Sequence, residues 1–409
     1  MKIVGINSHP GGSTKNIMVS ILDQAEEELG ADTYAFWGVW RSKKTTDEKR
    51  SCFGYQTENV LNAVFSQKTG IHCYGSFIGT RKLIGRLKDI QPALIHIHNL
   101  HLWTINVPML MNYIKSQNVP VVWTLHDCWA FTGHCAHFIQ TGCKKWVEGC
   151  YQCDCLNKYP FSKYDKTSLM WRKKKEWFSN IPNLWIITPS EWLKEMVSHS
   201  FLKNYPVRVI NNGIDLDIFK PRHSDFRHRY GLEGKYLVLG VAFQWSYEKG
   251  LDFFLNLEKE LDPELYRIIL VGTNDLIDRN LSKNIISIHR TEDRQEMAEI
   301  YSAVDLFVNP TREENFPTTN LESLACGTPV ITSSVGGCPE TVSKECGVIV
   351  KVGDFEQFKE VIEKCRIERP FTEENCINFA SRFKSVEKFK EYTKLYSSLL
   401  GGKNESCTF

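Results

Sequence analysis

Glu314 and Glu322 are separated by seven residues in a polar stretch whose spacing suits an anionic ligand. The stretch follows a short apolar run, 306–308, and a helical pattern begins at about Thr319. The free N–H groups at the start of a helix bind anions, and a diphosphate is the natural candidate. Glu322, one turn into that helix, could accept hydrogen bonds from ribose hydroxyls. Glu314 lies before the helix and could meet a sugar.

A second interpretation of the same residues is purely structural. Thr319-Asn320-Leu321-Glu322 also fits a capping box, in which Glu322 would satisfy a backbone donor of its own helix. Spacing alone favours neither interpretation over the other.

A wider set of motifs resembles the family 4 retaining glycosyltransferases, which have the GT-B architecture of two facing Rossmann-like domains. The resemblance begins with Glu314-x7-Glu322 and the phenylalanine after the first glutamate. It extends to four other segments in the family's order: Asn211-Asn212-Gly213-Ile214-Asp215, Glu248-Lys249-Gly250, Ala325-Cys326-Gly327-Thr328-Pro329-Val330 and Gly336-Gly337-Cys338-Pro339-Glu340.

The resemblance implies a role for each matching residue. Glu322 would hold the ribose, Lys249 would bind the diphosphate, and Glu314 would face the donor sugar as a catalytic group. Backbone contacts around sugar and phosphate would come from Asn315, Phe316, Pro317, Thr318, Thr319, Asn320 and Leu321.

One residue departs from the family's pattern. The family usually places an arginine about five residues before the phosphate-binding lysine, and Gln244 stands there in this chain. The phosphate charge would then be met by Lys249, by the helix N-terminus or by a cation from elsewhere, with Arg290 and Arg312 as candidates.

Further candidates lie in the first half of the chain. Gly11 and Gly12 follow the first apolar run, where glycine lets a backbone approach a ligand closely, although a tight structural turn is the simpler interpretation. The resemblance places Gly12 near the donor phosphates and Gly11 on the acceptor side. His126 ends an apolar run, and the resemblance implies that it contacts the transferred sugar. We expect Asp127 to orient the His126 ring, His98 and Asn99 to line the acceptor side, and His96 to be packed.

The resemblance also implies the chemistry. A retaining transfer releases a nucleoside diphosphate, so fixed hydrogen-bond donors around that group would stabilise the growing charge. The two glutamates are not expected to act as a glycosidase pair, and no catalytic metal is expected. The predicted activity moves a sugar from a UDP-, GDP- or ADP-linked donor to a glycan or lipid-linked glycan in polysaccharide biosynthesis. The alternatives are a non-catalytic nucleotide-sugar-binding protein, an epimerase or a phosphorylase.

The elements that must position these residues alternate along the chain. Short apolar runs, such as 2–7, 93–98 and 236–241, are followed by amphipathic segments such as 107–116 and 295–303. This alternation predicts parallel sheets covered by helices, in an α/β protein of two doubly wound domains. We place the domains at 1–203 and 204–375, with 376–409 packing back on the first domain. If the units face each other, their strand ends would form one cleft.

Composition excludes some classes of partner and location. The net charge is +2, which gives no indication of nucleic-acid binding. The first apolar run is too short for a signal peptide, and no run is long enough to span a membrane. We therefore expect a cytoplasmic protein. Basic and aromatic residues interleave at 171–178, and a second basic strip lies at 81–88, so peripheral contact with the inner face of the membrane is a further expectation, beside that of an ordinary solvated helix.

Six of the fourteen cysteines fall between Cys128 and Cys155. In a chain without an export signal, metal ligation or plain burial is favoured over disulfides. The tetrad Cys135, Cys143, Cys150 and Cys153 contains one CxxC pair and could bind a structural zinc ion, with buried free thiols as the alternative.

Overall fold

The computed structural model describes residues 1–40 and 47–401, and the chain divides into two compact units. Unit 1 comprises Met1–Asn211 together with the chain from Lys388 onward, and unit 2 comprises Asn212–Glu387. Each unit is built on its own parallel sheet. Within the described residues, no helix combines the length and the hydropathy needed to cross a bilayer.

The sheet of unit 1 has seven parallel strands in the order β3-β2-β1-β4-β5-β6-β7. Its central strands are buried along their whole length, as expected for a parallel sheet covered on both faces. The strands are β1 (Lys2–Asn7), β2 (Asp32–Gly38), β3 (Arg50–Phe53), β4 (Leu94–Ile97), β5 (Val121–Thr124), β6 (Leu184–Thr188) and β7 (Val207–Val209).

Helices connect these strands, and two of them begin at side-chain caps. Asn106 accepts a hydrogen bond from the Met109 N–H, and Ser190 accepts one from the Leu193 N–H. The helices are α1 (Gly12–Leu29), α2 (Gln56–Thr69), α3 (Phe77–Ile90), α4 (Val107–Ser116), α5 (Thr167–Phe178) and α6 (Glu191–His199).

Helix α5 carries the basic and aromatic strip for which membrane contact was one expectation and an ordinary solvated helix the other, and half of its residues are buried. Trp171, Trp177 and Phe178 are buried. Lys174 is fully buried as well, since its Nζ atom donates to the carbonyl of Trp129 at 2.7 Å and lies 3.6 Å from the centre of that indole ring. The aromatic side of the strip therefore packs into the core, whereas its other basic residues are exposed or half-buried, and membrane contact stays a prediction. Burial lowers the pKa of Lys174 to about 8.

Unit 2 has six parallel strands in the order β10-β9-β8-β11-β12-β13. The strands are β8 (Tyr236–Val241), β9 (Tyr266–Val271), β10 (Ile285–Ile288), β11 (Leu306–Asn309), β12 (Val330–Ser333) and β13 (Gly347–Val350). The helices are α7 (Phe226–Arg229), α8 (Leu251–Glu260), α9 (Asp275–Asp278), α10 (Arg294–Ala303), α11 (Thr318–Ala325), α12 (Phe355–Glu368), α13 (Glu373–Ala380) and α14 (Ser385–Leu400), the last of which continues into unit 1.

The division of the chain differs from the one placed at 203/204 and 375/376. Strand β7 pairs with β6, so residues up to Asn211 belong to unit 1. At the other end, Cys376 and Phe379 pack into the core of unit 2, and the chain returns to unit 1 only at Lys388. From there, α14 places Tyr392, Leu395 and Tyr396 in the unit 1 core.

Both sheets reverse their strand order at one point. In unit 1 the neighbours there are β1 and β4, and in unit 2 they are β8 and β11. Loops that leave such neighbouring strands run in opposite directions and open a crevice, where open α/β sheets bind ligands. The predicted site residues follow these four strands, or β5 beside β4.

Candidate active site

Lys249 and Glu314 form an ion pair on the crevice of unit 2. The Lys249 Nζ atom lies 2.7 Å from Oε2 of Glu314 and 3.4 Å from the carbonyl oxygen of Glu313. The other carboxylate oxygen of Glu314 accepts the N–H of Asn315 at 3.0 Å. Burial acts to lower the pKa of Lys249, but the Glu314 carboxylate more than offsets it, so the pKa is raised and the ammonium stays charged.

The loops that carry this pair are tied together. The N–H of Arg312 donates to the carbonyl of Glu248 at 2.8 Å, and the hydroxyl of Thr311 contacts the same carbonyl. The guanidinium of Arg312 pairs with both carboxylate oxygens of Asp252, at 2.7 and 2.8 Å. This ion pair ties the loop that carries Arg312 to helix α8. Gln244 and Arg290 are exposed.

Helix α11 begins directly beyond Glu314. Its cap residue is Pro317, and no side chain caps its first turn, so the capping-box interpretation of Thr319 and Glu322 is wrong. The N–H groups of the first turn therefore depend on other partners. Thr318 and Thr319 are half-buried at this end of the helix.

Several residues of the motif have structural side chains. Asn320 is fully buried, where its amide accepts from Asn309 and donates to the Thr341 hydroxyl, both at 2.8 Å. Leu321 lies in the core, and Phe316 packs 5.8 Å from the Phe383 ring. Only backbone atoms of these residues are available to a ligand, which agrees with the kind of contact expected of them.

Glu322 is half-buried on the first turns of α11. Burial raises the pKa of its carboxyl to about 7, although Arg294 and the hydroxyls of Thr318 and Tyr301 act in the opposite direction. A carboxylate that is shielded from water is stabilised by hydrogen bonds from hydroxyl groups, and the two hydroxyls of a ribose can donate such bonds.

Cys338 completes the surroundings of the ion pair, and the sequence analysis did not select it as a site residue. Its thiol is fully buried, burial raises its pKa, and the charges of Glu314 and Lys249 both act on it. Its position in the glycine loop after β12 was the available signal, because that loop follows the strand next to β11.

The glycine turn of unit 1 meets the end of β4. Asn7 is fully buried, and its side chain accepts the N–H of Asn99 at 3.1 Å while donating to the carbonyl of His9 at 2.9 Å. A Cβ added to Gly11 or Gly12 would meet no atom within 4 Å, so both residues border open space. Gly12 has φ +79°, a conformation that favours glycine.

Two histidines predicted for this side are hydrogen-bonded to each other. His98 Nδ1 and His126 Nε2 are 2.9 Å apart, and the two rings stack at 5.2 Å. His98 is buried, whereas His126 is half-buried at the end of β5. Burial lowers the pKa of His126 to about 4, so its ring is neutral at physiological pH. His96 is packed, as expected, between Thr124 and Tyr396.

Asp127, which was expected to orient His126, is held by two other groups. Its carboxylate accepts from Nε2 of His101 at 3.0 Å and from the N–H of Trp129 at 2.8 Å. His101 is held in turn by the Tyr159 hydroxyl at 2.7 Å. These contacts bring together residues far apart in the chain, so neighbouring positions in the sequence gave no signal of them.

The cysteine tetrad surrounds a small cavity of about 20 Å³, which Cys155 and His134 also line. The thiols of Cys135 and Cys153 donate to Cys155 and lower its pKa. However, the thiols of the tetrad do not all lie close enough together to share one metal ion. Among residues 1–40 and 47–401, the group of three or more side chains whose ligand atoms lie within 4.8 Å of one another is Asp275, Asp278 and His289. Structural zinc at the tetrad stays a prediction that requires the thiols to move closer.

Comparison with known proteins places this geometry in a family. The model for "Glycosyltransferase Family 4" matches residues 58–218, and the model for "Glycosyl transferases group 1" matches residues 235–366. The two matched segments together cover well over half of the chain. The chain belongs to glycosyltransferase family 4. The motif residues Lys249, Glu314 and Glu322 all lie inside the second matched segment of this transferase.

Curated relatives agree with the family models. The transferase is 25% identical over 340 residues to the putative colanic acid biosynthesis glycosyl transferase WcaC of Escherichia coli K12, covering 80% of this chain and 81% of that one. It is 28% identical over 197 residues to the capsular polysaccharide biosynthesis glycosyltransferase CapM of Staphylococcus aureus, covering 44% of this chain and 51% of CapM.

Solved structures resemble the transferase over nearly its whole length. A sucrose-phosphate synthase from Thermosynechococcus elongatus superposes with a TM-score of 0.71 at 20% identity, covering 98% of this chain and 100% of that one. HepE from Anabaena, in complex with UDP, superposes with a TM-score of 0.66 at 17% identity, covering 97% and 100%. At these identities the likeness establishes the fold, which is GT-B.

Proposed function

We propose that this glycosyltransferase moves a sugar from a nucleotide-sugar donor to a glycan or lipid-linked glycan in polysaccharide biosynthesis, with retention of the anomeric configuration. The names of WcaC and CapM support the biosynthetic setting, and the complex of HepE with UDP supports a nucleotide donor. The likeness to HepE favours UDP-linked sugars over GDP- and ADP-linked sugars as the first donors to test.

One observation carries the proposal. Lys249, Glu314 and the uncapped N-terminus of α11 meet on the two strands where the unit 2 sheet reverses its order. A diphosphate at this crevice would receive one ammonium and several N–H donors, and its growing charge would be stabilised as the sugar leaves. With Arg312 engaged by Asp252, Lys249 is the cation assigned to the phosphates.

The remaining roles follow from position and chemistry. Glu322 accepts the ribose hydroxyls from the first turns of α11. Glu314 faces the transferred sugar, and its contact with Lys249 links sugar and phosphate binding. In unit 1, His126 offers a neutral ring to the sugar, and Gly11, Gly12, His98 and Asn99 form the surroundings of the acceptor. No metal ion has a part in this mechanism.

Turnover separates this proposal from a protein that only binds nucleotide sugars. The wild type should release UDP, GDP or ADP from one of its sugar donors, and the rate should be insensitive to EDTA. Glu314→Gln should lower that rate at least about a hundredfold, because the carboxylate contacts the reacting sugar. Proton NMR of the first product formed should find the anomeric configuration of the donor. Nucleotide-sugar binding without turnover would favour the non-catalytic alternative, and an inverted product would overturn retention.

A further inference from the structure

Helix α2 of unit 1 is packed with its polar side inward. Its buried side chains recur with helical spacing and include Asn59, Asn62 and Ser66 beside one alanine, Ala63. The opposite side carries Val60, Leu61, Val64 and Phe65, which are between 40% and 70% exposed. A surface helix normally buries its apolar side, so this helix is inverted.

Hydrogen bonds fix the inverted orientation. The Asn62 amide donates to the carbonyl of Trp103 at 2.7 Å and to the Ser76 hydroxyl at 3.2 Å. The Asn59 amide donates to the carbonyl of Val39 at 2.6 Å, and the Ser76 hydroxyl donates to Asn59 at 2.8 Å. Turning α2 over would leave these buried polar groups without partners, which costs free energy for each group. The apolar side is therefore held outward.

A second helix extends the apolar surface. Glu58 accepts the N–H groups of Ile78 and Gly79, at 2.7 and 3.0 Å, and so fixes the start of α3 against the first turn of α2. This contact places Phe77 and Ile78, each more than half exposed, beside the exposed side of α2. We call this surface the α2 ridge, and it consists of Val60, Leu61, Val64, Phe65, Phe77 and Ile78.

Basic and aromatic residues border the α2 ridge. Lys68 is exposed on the last turn of α2, and Arg81 is exposed one turn beyond Ile78. The N–H of Lys163 donates to the carbonyl of Gln67 at 2.8 Å, which brings the exposed segment containing Phe161 and Tyr164 to the end of α2. Glu58, the acidic residue within α2, has its carboxylate engaged by the backbone of α3.

We propose that the α2 ridge docks on the surface of an anionic lipid bilayer. Exposed aliphatic and phenylalanine side chains enter the boundary between headgroups and acyl chains, and a border of lysine and arginine attracts acidic headgroups. A protein partner would need no net basic border. The ridge differs from the strip on α5, whose tryptophans are buried, and it is independent of the transfer reaction in unit 2.

Vesicle sedimentation of the full chain tests the proposal. The protein should sediment with vesicles of phosphatidylcholine and phosphatidylglycerol, and at least about tenfold less with phosphatidylcholine alone. Leu61→Asn with Phe65→Asn should reduce binding to the mixed vesicles at least about tenfold. Lys68→Glu with Arg81→Glu should remove the preference for phosphatidylglycerol.

Matched variants keep the test decisive. Leu276 and Ile367 are both 70% exposed in unit 2, so Leu276→Asn with Ile367→Asn removes as much exposed apolar surface elsewhere and should leave sedimentation unchanged. Thermal unfolding should find all three double variants folded, since the substituted side chains are exposed. Equal binding by the ridge variant and the wild type would overturn the proposal. The proposal would also be overturned if the wild type bound neither type of vesicle. A dimer in solution that Leu61→Asn with Phe65→Asn abolishes would overturn it as well.

Discussion

The ammonium of Lys249 lies 2.7 Å from the carboxylate of Glu314, so the group assigned to the phosphates contacts the group assigned to the sugar. Each residue comes from a different loop of the unit 2 crevice, one after β8 and the other after β11. A diphosphate that contacts Lys249 would therefore compete with Glu314 for the same ammonium group. Binding of the leaving group and placement of the sugar should be coupled at this pair.

Loss of the Lys249 charge should weaken nucleotide binding. Lys249→Ala should raise the dissociation constant for the nucleoside diphosphate by roughly tenfold to a hundredfold, because a charge-assisted hydrogen bond contributes about 1.5–3 kcal/mol. The effect on the free nucleoside, which has no phosphate, should be small. Titration calorimetry measures both ligands. Lys283→Ala, at an exposed position of unit 2, is the control, and equal affinities in all three proteins would contradict the role of Lys249.

Glu322 should make the free protein less stable as the pH rises. Its folded-state pKa is about 7 against an ordinary value of 4.5, so between these pH values the unfolded chain has released a proton that the folded chain still holds. Stability must fall with rising pH across that window, by at most about 3 kcal/mol. Glu322→Gln should lack this loss and melt at a higher temperature than the wild type at pH 8. Parallel melting curves for the two proteins from pH 5 to pH 8 would contradict the raised pKa.

The neutral state of His126 should appear in the pH profile of turnover. With a pKa of about 4, the ring does not titrate near the ordinary histidine value of 6.5. His126→Ala should lower kcat at least about tenfold, leave the dissociation constant for the nucleoside diphosphate unchanged, and leave the pH profile between 6 and 8 with the same shape. A limb near pH 6.5 that disappears in the variant would show that His126 titrates there.

Metal analysis distinguishes the two interpretations of the cysteine tetrad. The zinc hypothesis expects about one zinc ion per chain in protein purified without chelators, lost when Cys143 and Cys150 are replaced by serine. Zinc removal should then lower the melting temperature, because metal binding contributes to folding. Cys365→Ser, far along the chain in unit 2, is the control for a general effect of thiol loss. If the wild-type protein contains no zinc, the cysteines of the tetrad are buried free thiols.

Much of the fold could be predicted because apolar runs and helical spacing are local signals. Helix α4 lies at the predicted bounds, Val107–Ser116, and β1 and β8 match their runs. The division at 211/212 rather than 203/204 could not be predicted, because β7 is only three residues long and its pairing with β6 reveals its unit. Tertiary contacts of this kind have no signature in a single sequence.

The same limit applies to the sites. The motif from Glu314 to Glu322 predicted a helix start, and the structure has one, but the Lys249–Glu314 contact joins loops 65 residues apart. Asp127 was assigned to its chain neighbour, and its contact with His101, 26 residues away, could not be predicted. The inversion of α2 shows the limit most directly, because Asn59 and Asn62 are held by hydrogen bonds to Val39, Ser76 and Trp103, which lie elsewhere in the chain.

The central claim is that the crevice of unit 2 binds a nucleotide sugar through the α11 motif. Calorimetric titration of the wild type and Glu322→Ala with UDP-, GDP- and ADP-linked sugars tests it most directly. The account predicts that the wild type binds at least one of them and that Glu322→Ala binds the same ligand at least about tenfold more weakly. Failure of the wild type to bind any of the three at millimolar concentration, or equal binding by the variant, would contradict it.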